Sequence, residues 1–370
     1  MHPLIPYFLI ALLQICLVFQ FYYLIRYDLR LANYPVDDVL PEAGVPVSVI
    51  ICARNEESNL RLFLPQILAQ HYPDFEVVVV NDHSTDDTPF VLKEFARQYA
   101  NLKIVNIDGQ YQRGKKYAVT MGIKAARNEH LLFTDADCAP ASENWLLQMQ
   151  ACFTSGKEIV LGYSPYTRYG GVLNAFIRFE TVKTATAYLS SALTGDAFMG
   201  IGRNMGYTKR LFFRGKGFAS HMHIPSGDDD LFVNENATPE NTVIRINPNA
   251  HTLSEPKRSF GAFYRQKTRH SRAGVLYKAR HRRRLSMQAL SGTLFYFILI
   301  TLLAFKIEPV LVLGLFLLRL VIQWIIYKPV FSKLRAGDLV IWLPLLDVLY
   351  YIYLNIFGCI GLFSKSKRWK

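Results

Sequence analysis

The sequence has little cysteine, and what it has is poorly spaced for chemistry. Cys16, Cys52, Cys138, Cys152 and Cys359 match neither a zinc site nor a dithiol pattern, and a cytoplasmic domain would keep them reduced. Two nucleotide-binding signatures are also missing. No GxGxxG follows the first strand-like run and no P-loop pattern occurs anywhere, so a dinucleotide fold and a P-loop both lose support. The first apolar run has no basic residue before it beyond the amino terminus and no small-residue cleavage pattern after it, so a retained anchor is expected, not a cleaved signal peptide. Acidic residues are the scarcer charge, 29 against 42 Lys and Arg. The excess borders apolar segments and accompanies no recognition motif, so nucleic acid is not expected as a partner.

Apolar runs are abundant, and they sit at the two ends. The chain is uncharged from Leu4 to Ile25, enough for a helix to cross a hydrocarbon core. Apolar segments return at 291–305, 309–327 and 339–363, the first two separated by Lys306, Ile307 and Glu308, which suits a tight hairpin. The expected organisation is an anchor over 1–27, a soluble domain over 45–275, a basic juxtamembrane linker over 276–290, membrane helices over 291–363 and a basic tail over 364–370. Arg26 and Arg30 follow the anchor and KARHRRR (278–284) precedes the next segment. Both place the soluble domain on the cytoplasmic side and favour anionic lipid. Pro344, Asp347 and Asn355 make the last segment read as a broken, re-entrant or interfacial piece.

Within the soluble part, strand-like runs at 45–53, 75–80, 102–107, 130–134 and 158–163 alternate with helix-like runs. The strands are short, nearly continuous and rich in branched residues, as strands covered on both faces are. A doubly wound, mostly parallel α/β sheet follows, with ligands expected beyond the carboxyl ends of the strands. Those ends carry acids: Glu56 and Glu57 after the first, Asp82, Asp86 and Asp87 after the second, Asp135 and Asp137 after the fourth. In an extended chain Asp135 and Asp137 would face one way, an arrangement that suits a divalent cation and equally a solvated, helix-capping turn. Ser84, Asp86 and Asp87 read as helix-start chemistry, leaving Asp82 as the better ligand holder. Arg113, Lys115 and Lys116 are the cations available for phosphate. Asp228, Asp229 and Asp230 precede a helical run, and 259–274 reads as a basic amphipathic helix with aromatic residues.

In this order, VSVIICARNEESNL, VVVVNDHSTDDT, GKKYAVTMG, FTDADC, GDDDLF and QKTRH resemble the membrane-bound, inverting branch of glycosyltransferase family 2, which includes ceramide glucosyltransferase-like and polysaccharide synthase-like enzymes. The resemblance covers roughly 45–275 and implies a GT-A-like sheet. It also implies roles: Glu56 and Asp82 at the nucleotide, Lys115 near the diphosphate, Asp135 on the nucleotide sugar, and Asp137 as ligand to Mg2+ or Mn2+. Asp229 matches the general base, and Gln266 and Arg269 match a motif whose arginine holds the leaving diphosphate. His270 stands where that motif has tryptophan, which puts the acceptor site in doubt. The expected reaction moves a sugar from a nucleotide diphosphate sugar, UDP-linked by the resemblance, to a lipid or lipid-linked acceptor at the membrane. The rival is elongation of a glycan by an assembly of chains, with a homo-oligomer or export partner; a non-catalytic scaffold is the reading from another class.

Overall fold

The computed structural model describes residues 4–36, 39–107, 114–224, 226–270 and 273–363. Arg113 and the tail 364–370 therefore lie outside the described residues. The soluble part is built on a seven-stranded sheet of β1 (Val47–Ala53), β2 (Phe75–Asp82), β3 (Leu102–Ile107), β4 (His130–Phe133), β6 (Ile159–Leu161), β7 (Met205–Thr208) and β8 (Thr242–Ile244), in the order β3-β2-β1-β4-β7-β6-β8. β5 (Cys138–Pro140) and β9 (Thr252–Ser254) form a separate antiparallel pair. β3, β2, β1 and β4 run parallel; β7 is antiparallel to both its neighbours. Every residue of β2 is buried, and β1 nearly so. Each fully buried Val or Ile there contributes about 1.5–3 kcal/mol, which is why this half of the sheet is legible as unbroken branched runs.

Helices Glu57–Leu68, Thr88–Gln98 and Lys115–Ala125 return the chain between the parallel strands. The helix Val172–Leu193 is different: it is buried along most of its length yet carries Asn174, Arg178, Glu180 and Lys183 among its buried residues. It packs against the helical turns that follow the first apolar helix and against the last one. Polar residues buried on such a helix need partners, and Arg178 finds Asp338 while Lys183 finds the Tyr327 hydroxyl, both from the carboxyl-terminal region.

Among the described residues, four helices are long and apolar enough to cross a membrane: Leu4–Ala32, Ala279–Ala304, Pro309–Lys333 and Gly337–Ile360. Leu4–Ala32 stays helical past the Arg26 boundary through a π-helical turn at Leu24–Asp28. The last segment is not broken in the way its polar residues imply. After a 3-10 turn at Gly337–Trp342 it is one helix, Leu343–Phe363. Its polar groups find partners on neighbouring helices: buried Asp347 accepts from Arg319 at 2.7 Å and from the Tyr296 hydroxyl at 2.9 Å, and the exposed Asn355 donates to Thr293 at 2.8 Å. The basic run 278–284 is no uniform lipid-facing linker either, because it begins the helix Ala279–Ala304. Arg284, only 12% exposed, pairs with Asp196 at 2.9 Å and lies over the Tyr27 ring.

Candidate active site

The loops leaving β1 and β2 are strapped to one another. Asn55 and His83 both take positive φ, which turns each loop back toward its neighbour. Asn55 N–H donates to Ser84 Oγ at 3.0 Å, Thr85 N–H to Asn55 Oδ1 at 2.7 Å, and Asp86 accepts from the N–H groups of Glu57 and Thr88. Ser84 and Asp86 thus hold backbone. Asp82, at the end of β2, is fully buried; one carboxylate oxygen meets His83 Nδ1 at 2.7 Å and the other, Oδ2, has no hydrogen-bond partner among the described residues. A buried acceptor left unmatched is costly and marks a place for a donor from outside.

Gly114 sits at φ 143°, a backbone state that side-chain-bearing residues avoid, and delivers Lys115 as the first residue of its helix. Lys115 Nζ donates to Asp135 Oδ1 at 2.9 Å and lies 3.4 Å from Asp228 Oδ2. Three chain segments far apart in sequence therefore converge on one ammonium group. Lys116 does not join them: it is buried and donates to the His221 carbonyl at 2.6 Å, and burial lowers its amine to about 8 against the pull of nearby acids.

Asp135 and Asp137 are not at the end of an extended strand. β4 stops at Phe133, and the two aspartates lie in a turn closed by Cys138 N–H donating to the Asp135 carbonyl. Burial works to raise Asp135, but Lys115, Arg203 and Arg269 outweigh it and hold the carboxyl below its ordinary value. Asp137 moves the other way, raised by burial and then by the charge of Asp135. Glu56 is raised as well, first by burial and in part by Asp137 and Asp135. Two crowded carboxylates, one of them already committed to Lys115, are a donor set that fits a hard divalent cation, with Asp137 as the freer ligand. No third His, Cys, Asp or Glu completes such a group among the described residues, so phosphate oxygens and water would fill the other positions.

The three acids at 228–230 have separate surroundings. Gly227 (φ 88°) leads into them, and Asp229 caps the helix Asp230–Asn236, its Oδ1 accepting from Asp230 N–H at 2.8 Å. Its Oδ2 accepts from Gly202 N–H at 2.7 Å. Burial and then the adjacent Asp228 raise the Asp229 carboxyl from its ordinary value. Asp230 is pushed up to about 8 by burial and Asp229, and it accepts from the Tyr277 hydroxyl at 2.7 Å. Asp228 faces Lys115. Of the three, Asp229 combines a raised affinity for protons with two fixed N–H donors that orient it.

Gln266 and Arg269 lie on the helix Phe260–His270. Gln266 donates to the Tyr166 hydroxyl at 3.3 Å, and the Arg269 charge is among those that lower Asp135. His270 keeps an open face to solvent. Lys267 is the anchor of this helix, donating to the buried Glu180, which also accepts from the Tyr353 hydroxyl at 3.1 Å. Glu180, Tyr166, Tyr277, Gly202 and Arg203 carry no sequence signal of their own. They come from the weakly patterned stretches whose placement depends on tertiary contacts.

Residues 48–213 match the family model described as Glycosyl transferase family 2. The β-monoglucosyldiacylglycerol synthase of Nostoc sp. is 32% identical over 99 residues, 26% of this chain and 21% of that protein. The poly-β-1,6-N-acetyl-D-glucosamine synthase of Staphylococcus epidermidis is 32% identical over 91 residues, 25% of this chain and 21% of that protein. The chain thus aligns with 21% of the length of each. The mannosyltransferase PcManGT of Pyrobaculum calidifontis, solved with GDP-Man and Mn2+, superposes with a TM-score of 0.59 at 18% identity, covering 95% of this chain and 98% of that one. The likeness is one of fold, a GT-A-like mixed sheet with helices.

Proposed function

We propose, on the premise that this chain carries a glycosyl transferase family 2 domain across residues 48–213, that it is a membrane-held inverting glycosyltransferase. In this reading it moves a sugar from a nucleotide diphosphate sugar to a lipid or lipid-linked acceptor, with the soluble domain on the cytoplasmic face. The observation that carries it is the convergence of Asp135, Asp228 and Lys115 beside Asp229, with the unmatched Asp82 oxygen on the same rim. Asp82 and Glu56 would receive the nucleotide. Asp137, with Asp135, would hold a Mg2+ or Mn2+ ion, whose contribution when bound is to neutralise charge on the diphosphate.

The protein's own groups account for the rest. Asp229 accepts the proton of the acceptor hydroxyl as its oxygen bonds to the anomeric carbon. The bond from that carbon to the diphosphate breaks on the opposite side, its electron pair staying on the phosphate oxygen. Arg269 and Lys115 stabilise the charge that develops there. Attack from one face and departure from the other gives inversion, as in base-assisted glycoside hydrolysis with the acceptor in place of water.

A lipid acceptor is favoured over a growing glycan by the seating of the Phe260–His270 helix on the last apolar helix, where Tyr264 meets Phe357 at 5.5 Å and Phe263 meets Tyr353 at 6.1 Å. An acceptor leaving the bilayer along that helix would arrive beside Gln266. Glycan elongation is the second reading, since one relative is a polysaccharide synthase. The test is incubation of membranes holding the protein with labelled nucleotide sugars and Mn2+, followed by separation of lipid-soluble from polymeric product. Label in a lipid fraction supports the proposal; label only in polymer selects the second reading, and none in either overturns both.

A further inference from the structure

Arg203 is a part-buried cation whose Nη1 is closed off from water and unpaired among the described residues. Its guanidinium lies 4.5 Å over the Tyr166 ring. The backbone on either side is fixed. Gly202 N–H is held by Asp229, the Arg203 carbonyl accepts from Thr252 Oγ1 at 2.8 Å, and Asn204 is held by Trp145, Tyr163 and Ala250. Arg203 therefore joins the segment that orients Asp229 to β9, whose partner β5 begins at Cys138, directly after Asp137. The stacked tyrosine in turn receives Gln266. Asp135 takes its ion pair from Lys115, so countering that carboxylate does not use up the free donor.

We propose that Arg203 is a specificity-determining residue that donates through Nη1 to a hydroxyl of the transferred sugar. The inference rests on the transferase reading above, in which the sugar lies between a diphosphate at Asp137 and an acceptor hydroxyl at Asp229. Arg203 bridges those two places. A guanidinium held by stacking presents its N–H groups in one fixed direction, and a sugar oxygen of the right configuration would satisfy the buried donor. A sugar with that hydroxyl inverted or masked would leave the donor unmet, and the site would reject it.

The test uses the full chain in detergent with Mn2+ and measures binding of UDP, GDP, UDP-glucose, UDP-N-acetylglucosamine and GDP-mannose. Arg203→Gln and Arg203→Lys are compared with the parent protein, with thermal unfolding as a check on folding. Both variants should bind the nucleoside diphosphate within about twofold of the parent. Both should lose about 10- to 100-fold in affinity for the preferred nucleotide sugar, the range for a charged hydrogen bond, and discriminate less among sugars on one nucleotide. Equal loss of nucleoside diphosphate and nucleotide sugar would make Arg203 a phosphate or carboxylate counter-charge and overturn the inference, as would full recovery in Arg203→Lys or no change in either variant. Should Arg203→Gln not fold, Arg203→Lys decides alone, since it keeps the charge and loses the planar fork. A parent protein that binds none of the five probes overturns the transferase reading itself, a result distinguishable from any of these.

Discussion

Glu180→Ala should free the helix that carries Gln266 and Arg269 while leaving the rest of the fold in place. The Glu180 side chain is 6% exposed and Lys267 13%, so the pair is largely out of water. Removing one member of a buried pair costs about 3–5 kcal/mol because the other charge is left behind. Lys267 can turn toward solvent from its position, which brings the expected cost to about 2–3 kcal/mol, including the hydroxyl of Tyr353 left without its acceptor. Against this stands the apolar docking of the helix. Phe263 is its buried side chain, worth about 1.5–3 kcal/mol. The polar anchor and the apolar one are comparable, so losing the first should release the helix about 30- to 150-fold more often. Hydrogen exchange in detergent micelles or nanodiscs would show this as faster exchange confined to 260–270. Turnover should fall about 100-fold, the scale expected for misplacing a leaving-group contact by an ångström, while nucleotide binding at Asp82, Lys115 and Asp135 holds. Glu180→Gln, which keeps an acceptor for Tyr353, should lie between. Unchanged exchange at 260–270, or a global loss of stability with no selective change there, would refute the reasoning.

Asp229→Asn should leave nucleotide-sugar affinity nearly unchanged and lower turnover by about 100-fold or more. Because Asp229 must be ionised to take a proton and Asp228 raises it, Asp228→Asn should move the acid limb of the pH–rate profile to lower pH; a shift upward would refute the electrostatic assignment. Asp137→Ala should abolish transfer and remove the Mn2+-dependent part of nucleotide-sugar binding in calorimetry with and without chelator, and retained Mn2+-dependent binding would count against its role as ligand. Arg284→Gln should cost about 1.5–3 kcal/mol in detergent unfolding, because it breaks charged hydrogen bonds to Asp196 and Ser191. Arg283→Gln should change only the response to anionic lipid, so equal melting defects in the two variants would contradict their different surroundings.

Some residues of the site have a local signature and others do not. Asp82 stands at a strand end, Lys115 at a helix start and Asp135 just past β4, where an abrupt change from apolar to polar is visible in a short window. The turn at Asp135–Cys138 looks in sequence like a strand extension, because one small residue between two acids fits either geometry. Lys115 and Lys116 are indistinguishable until the helix turns one toward Asp135 and the other toward the His221 carbonyl. Likewise, Asp228, Asp229 and Asp230 differ through Lys115, Gly202 and Tyr277, none of which is adjacent in sequence.

By itself the sequence determined the parallel half of the sheet, the rim where its acids gather and the apolar segments at both ends, because burial on fixed faces leaves a period that residue types report directly. The remainder depends on contacts between segments distant in the chain. β5, β7, β8 and β9 are three or four residues long and, unlike the equally short β4 and β6, carry no unbroken apolar run to mark them. The helix Val172–Leu193 is covered on nearly every side, so no apolar stripe separates from a polar one. Arg203, Glu180 and Arg284 acquire their partners from distant segments. A periodic pattern states which face of an element leaves water; the atoms that meet a buried charge on that face are set by where the rest of the chain packs.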